Sequence, residues 1–481
     1  MKSLNSRNVK WLIILFALWL MPGCATISHG PGFESVQKGV SERIDSQIYW
    51  YTGQKEDQQV AEAIDKLLEE RLTVDAAVQI ALLNNRWLQA LYQDLGIAQA
   101  DVVKAGLLHN PVFDASVLFP VDGGSAELNL GITQSFLSIF LIPLQKQIAE
   151  SMFEEVKTQV TSKILDFAYQ VRIAFYRTQA DIQRVELLRQ RVLAMELSYE
   201  FAKRLHDAGN ITALALHQQR DVHEMAKLNL RRAETCMIDS REHLNRLMGI
   251  WGPQVLWKSA GELPPISQED LEKKADSAEL ESRVIEASLE LEVARQRILT
   301  AGRQLGIKKQ TALVPELKLG IEAEKNSDWS VGPSLAFSIP FFNRGQVRLA
   351  QSRAHLRQQQ ELFAAMAVEI RSMAREAHNH LESAKEIAYY YQEIIIPLRQ
   401  RIINETMLQY NAMQAGPMDL LQAEDQKIEA MVEYTGALEH YWIARAKIEQ
   451  LLSGGTSGDS DFMGKSADGS NFQQKQTGGR R

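Results

Sequence analysis

Few residues of this chain stand at spacings that could carry chemistry. His223-Glu224 begins like the helical zinc motif in which a second histidine follows four positions on, but that position is Lys227. His378 and His380 are two apart, so on a helix they point about 200° from one another and do not suit one metal. They read as part of a solvated face. Met366 and Met373 stand seven apart on one helical face, a spacing of core packing before soft-metal handling. Neither a GxSxG nucleophile turn nor a GxxxxGK[ST] phosphate loop occurs. The two cysteines, Cys24 and Cys236, form no CxxC pair and no disulfide framework. No catalytic constellation, cofactor or resident metal is expected, and a hydrolase is rejected most firmly.

What the sequence offers instead is length without interruption. Leu144 to Ala208 holds neither glycine nor proline. Phe167, Val171, Ala174, Thr178, Ile182, Val185, Leu188, Val192, Met195, Tyr199 and Ala202 recur in steps of three and four, which lines one side of a helix. Arg172, Arg184, Glu186, Arg189, Arg191 and Glu196 lie between them. At the usual rise per residue such a helix spans on the order of 95 Å, too long for one globular core. A second segment of this kind runs from about Gln346 to Ala415, interrupted at Pro397. Both must pack on other long helices.

Composition narrows the class. The chain is 45% hydrophobic with a formal net charge of −7. Lys2, Arg7 and Lys10 precede an apolar run from Trp11 to Met21, then Pro22, Gly23 and Cys24, which reads as a secretory leader over residues 1–23. The apolar run is too short for a helix spanning a bilayer, which needs roughly 20 residues. Removing the leader takes the net charge to −10, so a phosphate-neutralising nucleic-acid surface is not expected. The small residue before Cys24 resembles a lipobox, in which the cysteine is acylated; Met21 and Pro22 are atypical there, and Ala25 after it resembles lipoproteins sorted to the outer membrane.

Taken in order, residues 24–71 read as a lipidated tail, extended at least to Gly53, with helix beginning near Asp57. That helical stretch runs to Leu108, its main segment opened by Thr73 and Asp75 and stopped by Asn110-Pro111. The period then changes to two. Phe113, Ala115, Val117 and Phe119 alternate with polar neighbours, a glycine-rich turn spans Pro120 to Ser125, and Leu128, Leu130 and Ile132 alternate again. This is a β-hairpin with strands long enough to be tilted across a membrane. After the long helix, Asp207, Gly209 and Asn210 make a tip, and a return helix runs from Thr212 to Met248. An irregular connector leads to a helix from Gln268 to Lys309. Pro315 then opens a second hairpin, with Leu317, Leu319 and Ile321 facing Leu335 and Phe337 across a turn at Lys325 to Asp328. The second long helix breaks at Gly416-Pro417 and returns as Met418 to Leu452. The tail 453–481, rich in Gly, Ser and Asp, is expected to be disordered.

The halves repeat. Pro111 and Pro315 are 204 residues apart, and Gly209 and Gly416 are 207 apart. Each half reads helix, hairpin, long helix, tip, return helix, with the first repeat over 72–266 and the second over 267–452. The period is too long for a solenoid unit and marks a duplicated half-subunit.

This layout, with Leu72-Thr-Val-Asp-Ala-Ala-Val-Gln-Ile-Ala-Leu-Leu-Asn-Asn85, Ser338-Ile-Pro-Phe-Phe-Asn-Arg-Gly345 and Tyr410-Asn-Ala-Met-Gln-Ala-Gly-Pro-Met-Asp-Leu-Leu421, resembles the TolC-like outer membrane efflux protein family. Cys24 places the likeness closest to its lipoprotein branch. The resemblance implies a mainly α chain with four β-strands, three copies of which close a twelve-stranded membrane β-barrel over a coiled-coil α-barrel. It implies a passive conduit across the periplasm for small molecules or metal ions, within a tripartite efflux or type I secretion system. The homotrimer would dock on a periplasmic adaptor protein fed by an inner-membrane pump. An open sheet edge in lipid would leave backbone groups unpaired at several kcal/mol each, and oligomerisation removes the edges; a soluble half-buried sheet would alternate in the same way, but nothing else in the chain offers a sheet to pack on. The alternation sets Leu317, Leu319, Ile321, Leu335 and Phe337 toward outer membrane lipid, and Glu316, Lys318, Glu322, Ser334 and Ser338 toward water.

The tips, Asp207, Gly209 and Asn210 in one and Gly416, Pro417 and Asp419 in the other, would form the periplasmic aperture. Glycine there is first a requirement of the turn; acidic side chains at a narrow opening would add cation selection or a latch, with Arg204 and Arg220 as candidate partners. The first half has Leu214 and Leu216 nearby and no counterpart of Asp419. A periplasmic adaptor and a structural coiled-coil lipoprotein of the envelope are the competing readings. One hairpin flanked by β-rich domains would favour the adaptor, and two membrane-length β-hairpins disfavour both.

Overall fold

The computed structural model describes residues 30, 32–53, 55–119, 126–135, 137–272, 277–311, 317–325, 328–337, 341–342 and 344–456. The leader, Cys24, the turn at 120–125, Pro315, Glu316, Ser338 and residues 457–481 lie outside them. The chain divides into two compact units.

The first unit comprises Asp94–Glu154 and Arg303–Ser352. Its centre is one antiparallel sheet of four strands in the order β1-β2-β3-β4. β1 is Val112–Leu118, β2 Glu127–Ser135, β3 Leu317–Lys325 and β4 Trp329–Phe337. The two hairpins come from different halves of the sequence, yet β2 pairs with β3 over eight positions, from Leu128↔Lys325 to Ser135↔Lys318. Alternation fixed each strand's faces, and the shared register merges them into one surface. Gly320 is needed where it stands. A Cβ there would lie 2.6 Å from the Ile132 carbonyl oxygen and 2.7 Å from Ser334 Oγ.

The second unit holds Glu34–Gln93, Glu155–Gly302 and Arg353–Arg481. Its short helices are α1 Phe33–Ile44, α2 Glu56–Glu69 and α3 Val74–Asn84; α4, Arg86–Gly106, leads into the first unit. The first long helix, α5, runs Leu137–Asp207 and the return helix α6 runs Ala213–Met248. α7 Gln268–Glu272, α8 Ser277–Ala287 and α9 Leu289–Gln310 follow. The second long segment is α10 Gln346–Tyr390, a five-residue π turn at Tyr391–Ile395, and α11 Ile396–Asn411; α12, Pro417–Ser453, returns.

The stripe read from the sequence is the buried one. Phe167, Val171, Ala174, Thr178, Val185, Leu188, Met195 and Ala202 are all buried. Around Val160–Tyr169 α5 is covered on most sides. Farther on, Val185 and Leu188 pack against Ala233 and Leu230 of α6 and Val432 of α12. Met366 and Met373 pack against the core formed by Leu280, Ile370, Ala374 and Leu451.

Several expectations are corrected. Residues 33–53 are not simply an extended tail. α1 buries Val36 and Val40, and the extended stretch after it is tied down by Gln79 and Gln89, whose amides donate to the Gln47 and Tyr49 carbonyls. The helical stretch to Leu108 is three helices. Asn85 breaks the last two, its Oδ1 accepting from the Trp87 N–H at 2.8 Å as a cap. The helix read from Gln268 is broken at Ser288, whose Oγ accepts from the Leu291 N–H. α5 begins at Leu137, seven residues before its expected start, and carries Pro143 inside it. At Pro397 the chain does not stop. The proline has no N–H for the regular ladder, and the π turn just before it absorbs the mismatch, with the Ile396 N–H donating to the Tyr391 carbonyl. Ser453 to Thr456, assigned to a disordered tail, are buried; Gly454 caps α12 at φ 98° and its carbonyl accepts from the Leu289 N–H.

Candidate functional site

Two regions hold the residues singled out in the sequence, the sheet and the two helix tips. In the sheet, Leu317 pairs with Phe337, Leu319 with Leu335 and Ile321 with Pro333, so all five apolar candidates share one face. The register extends that face through Ile132, Leu130 and Leu128 to Phe113, Ala115 and Val117. It is bare: Ile321 is 62% exposed, Leu335 59% and Phe337 59%. The opposite face carries Lys318, Gly320 and Glu322 of β3 against Ala336, Ser334 and Gly332 of β4. Asp114 and Glu322 lie on either side of Gly131 on that polar face, and the Asp114 carboxylate occupies the space a side chain at Gly131 would need. Both outer edges, β1 and β4, are unpaired among the described residues.

The tips close differently. At the first, Gly209 adopts φ 75°, its N–H donating to the His206 carbonyl and the Asn210 N–H to the Leu205 carbonyl. Thr212 then starts α6 by accepting from the Ala215 N–H at 3.2 Å. Asp207 is exposed, 3.7 Å from His206 Nδ1. At the second tip the left-handed residue is Met413, φ 59°, while Gly416 is extended at φ −84°. Asp419 Oδ2 accepts from the Gly416 N–H at 2.8 Å and so begins α12 just inside Pro417. Neither Arg204 nor Arg220 pairs with an acid at either tip among the described residues.

Sequence reasoning missed what joins the two halves. α5 and α12 run antiparallel, and three arginines of α5 meet acids of α12 in reverse order. Arg172 Nη1 lies 2.9 Å from Glu449, Arg184 Nη2 3.3 Å from Glu439, and Arg191 grips both oxygens of Asp425 at 2.7 and 3.1 Å. Arg184 also holds Asp181 at 2.6 Å. Burial pushes the Glu439 carboxyl above its ordinary range, against the pull of Arg184. Alternation and helical period are local signals and carry no information on partners more than 200 residues away. The asparagines ending Leu72–Asn85 also gain a role: Asn84 donates to the Met248 and Gly249 carbonyls and Asn85 to that of Leu247, satisfying the end of α6.

His223 is buried against Tyr199, ring centroids 5.8 Å apart. His378 is half-buried and His380 exposed. His380 does line a groove of about 650 Å³ over α12, with Glu376, Arg177, His440 and Lys447, a mixed polar surface. Among the described residues no group of three or more His, Cys, Asp or Glu is placed to hold a metal ion, and no helix is long and apolar enough to cross a membrane.

Comparison with known proteins agrees with this geometry. Residues 77–250 match the family described as outer membrane efflux protein. The cobalt-zinc-cadmium resistance protein CzcC of Cupriavidus metallidurans is 21% identical over 402 residues, 79% of this chain and 90% of that one. Among solved structures, CusC superposes with a TM-score of 0.64 at 16% identity, covering 80% of this chain and 93% of CusC. The Campylobacter jejuni CmeC outer membrane channel does so with 0.65 at 13% identity, covering 88% and 93%. These structural likenesses give the fold. Residues 77–250 are thus similar to the outer membrane efflux protein family, and the solved structures share the fold of most of the chain.

Proposed function

We propose that this protein is the outer-membrane channel of a tripartite export assembly, in which three copies close their sheets into one barrel. The observation that carries the reading is the sheet itself. It has one bare apolar face, one polar face and two unpaired edges. Four strands cannot enclose a pore, and unpaired edges in hydrocarbon are too costly to persist. Pairing β1 of one copy with β4 of the next removes every edge at once. The apolar face then meets lipid and the polar face lines the lumen.

The remaining assignments follow from that assembly. The tips with Asp207, Gly209 and Asn210 and with Gly416, Pro417 and Asp419 form the periplasmic aperture, which meets an adaptor protein fed by an inner-membrane pump. Metal cations are the cargo we favour over other small molecules. The relative CzcC is named for cobalt, zinc and cadmium resistance, and the polar sheet face carries Asp114, Glu127, Glu322 and Glu324 against Lys318. A lumen of that sign draws cations in and repels anions. Acylation of Cys24 adds a second tether to the outer membrane. Labelling by a radioactive fatty acid that survives Cys24→Ala would remove that assignment.

The test of the whole reading is electrical. The purified protein should migrate as a heat-modifiable trimer and give discrete conductance steps in planar bilayers, with a reversal potential of cation-selective sign in a salt gradient. A monomer that gives no steps would contradict the channel. Steps of anion-selective sign would contradict the cation cargo alone.

A further inference from the structure

The two ends of the sheet differ in charge. β1 begins, β2 ends, β3 begins and β4 ends at the same end of the sheet, as Val112↔Thr133, Ser135↔Lys318 and Leu317↔Phe337 require. The runs 104–111, 137–149, 304–311 and 341–352 that flank this end contain no aspartate or glutamate. They contain Lys104, Lys146, Lys308, Lys309, Arg344 and Arg348, every one exposed. Glu316, outside the described residues, is the single acid between these runs and the strands. The opposite end of the sheet is acidic, with Glu127, Glu324 and Asp328 against Lys325. Lys146 lies 3.9 Å from Glu150; among the described residues Lys308, Lys309, Arg344 and Arg348 have no acidic partner.

The same end is aromatic. Phe341 and Phe342 are 76% and 91% exposed, set edge to face with centroids 5.5 Å apart, and Phe140 is 68% exposed. In sequence Phe341 and Phe342 follow the end of β4 by a few positions and stand shortly before Arg344 and Arg348. An apolar band that passes into exposed aromatic rings and then into unpaired cations matches the layering of a leaflet, from acyl chain through interface to phosphate.

We infer that Lys308, Lys309, Arg344 and Arg348, with Phe341 and Phe342, form a collar that binds the phosphate headgroups of anionic phospholipids in the periplasmic leaflet of the outer membrane. The inference rests on the outer-membrane reading above. The rings hold the depth of the barrel in the leaflet, and the cations select lipids of net negative charge. Each basic group near an anionic surface is worth about five-fold in affinity, an effect that salt screens.

The test uses the full-length protein in micelles holding equal amounts of phosphatidylglycerol and phosphatidylcholine, with retained lipid counted by native mass spectrometry. Wild type should retain phosphatidylglycerol in excess, and the excess should shrink with added salt. The combined variant Lys308→Gln, Lys309→Gln, Arg344→Gln and Arg348→Gln should lose at least about ten-fold of that preference while still forming trimer. Neutralising four exposed cations of the helical unit, Lys66, Lys163, Lys203 and Arg232, should leave it unchanged. Equal retention of the two lipids by wild type overturns the collar while leaving the channel reading intact. An unchanged preference in the collar variant also overturns it. If the combined variant does not assemble, the pair Lys308→Gln and Lys309→Gln is read in its place, and an unchanged preference there has the same force. A wild-type protein that enters no bilayer of either lipid overturns both readings.

Discussion

The two tips do the same job with different residues. Each must reverse a long helix within a few positions and start its partner. The first puts glycine at the left-handed position and a threonine hydroxyl at the start of α6. The second puts Met413, 95% exposed, at the left-handed position and leaves Gly416 in an extended conformation that any residue adopts. There the return helix is started from inside its first turn, by the Asp419 carboxylate. The two tips therefore share the geometry of the reversal and not its chemistry. The left-handed residue stands three positions before the start of the return helix in both tips, Gly209 before Thr212 and Met413 before Gly416, so the register agrees while the residues that cap do not. The second tip also carries strain the first avoids, since a left-handed conformation costs an L-residue roughly 1–2 kcal/mol.

The comparison can be broken most sharply where the two halves meet. Arg191 on α5 holds Asp425 on α12 through both carboxylate oxygens, and both side chains are mostly covered. Arg191→Met should lower the stability of the folded protein by about 2–3 kcal/mol, because Asp425 keeps its burial and loses its partner. Arg191→Met combined with Asp425→Leu should recover much of that loss. Thermal midpoints in detergent are the readout, and no recovery in the double variant would show that the arginine acts alone.

The glycines come next. Gly209→Val should cost about 1–2 kcal/mol, since a branched residue is forced to φ 75°. Gly416→Ala should cost little. Its Cβ would meet only Asp419 Oδ2, at 3.5 Å. Equal costs would erase the distinction between the tips. Thermal midpoints of the two variants decide it.

Smaller again are the caps. Thr212→Ala and Asp419→Ala should each lose about 1 kcal/mol. Asp419→Asn should not, because its amide oxygen still accepts from the Gly416 N–H. The asparagine variant also isolates charge. If Asp419 additionally latches the aperture across subunits, Asp419→Asn raises single-channel conductance with normal assembly; wild-type conductance would confine its role to starting α12.

The smallest effect is a titration. Burial raises the Glu439 carboxyl, so its contribution to stability is fullest below the ordinary carboxylate value of 4.5 and is lost as pH rises through the raised value. Glu439→Gln should therefore gain stability over wild type at neutral pH and lose that gain below pH 4.5. A gain that is the same at both would assign it to packing.

How far these features were legible depends on the range of the signal. Period two found the strands and their faces, and period three to four found the buried stripe on α5, because both are written in neighbouring residues. The pairing of β2 with β3, the arginine series on α5 and the asparagine caps on α6 join residues far apart, and nothing local announces them. Proline and glycine misled in specific ways. The stretch without proline begins only at Leu144, yet Pro143 lies inside the same helix; Pro397 reads as a break and is accommodated by a π turn, and Gly416 reads as a requirement of the turn and is not. α1 was missed because its amphipathic pattern is short, with Val36 and Val40 alone buried. The tip residues were located correctly as turns, while the division of labour between Gly209, Met413 and Asp419 needed coordinates.

The central claim is that this sheet crosses the membrane with one defined face to lipid. Leu319 and Lys318 are adjacent on β3 and point to opposite faces. An arginine facing lipid near mid-depth costs about 2–4 kcal/mol, and one facing the lumen costs little. Leu319→Arg and Lys318→Arg should be compared by the amount of folded trimer recovered from outer membranes. The account predicts a marked loss for Leu319→Arg and wild-type levels for Lys318→Arg; equal recovery of the two, or loss confined to Lys318→Arg, would contradict it.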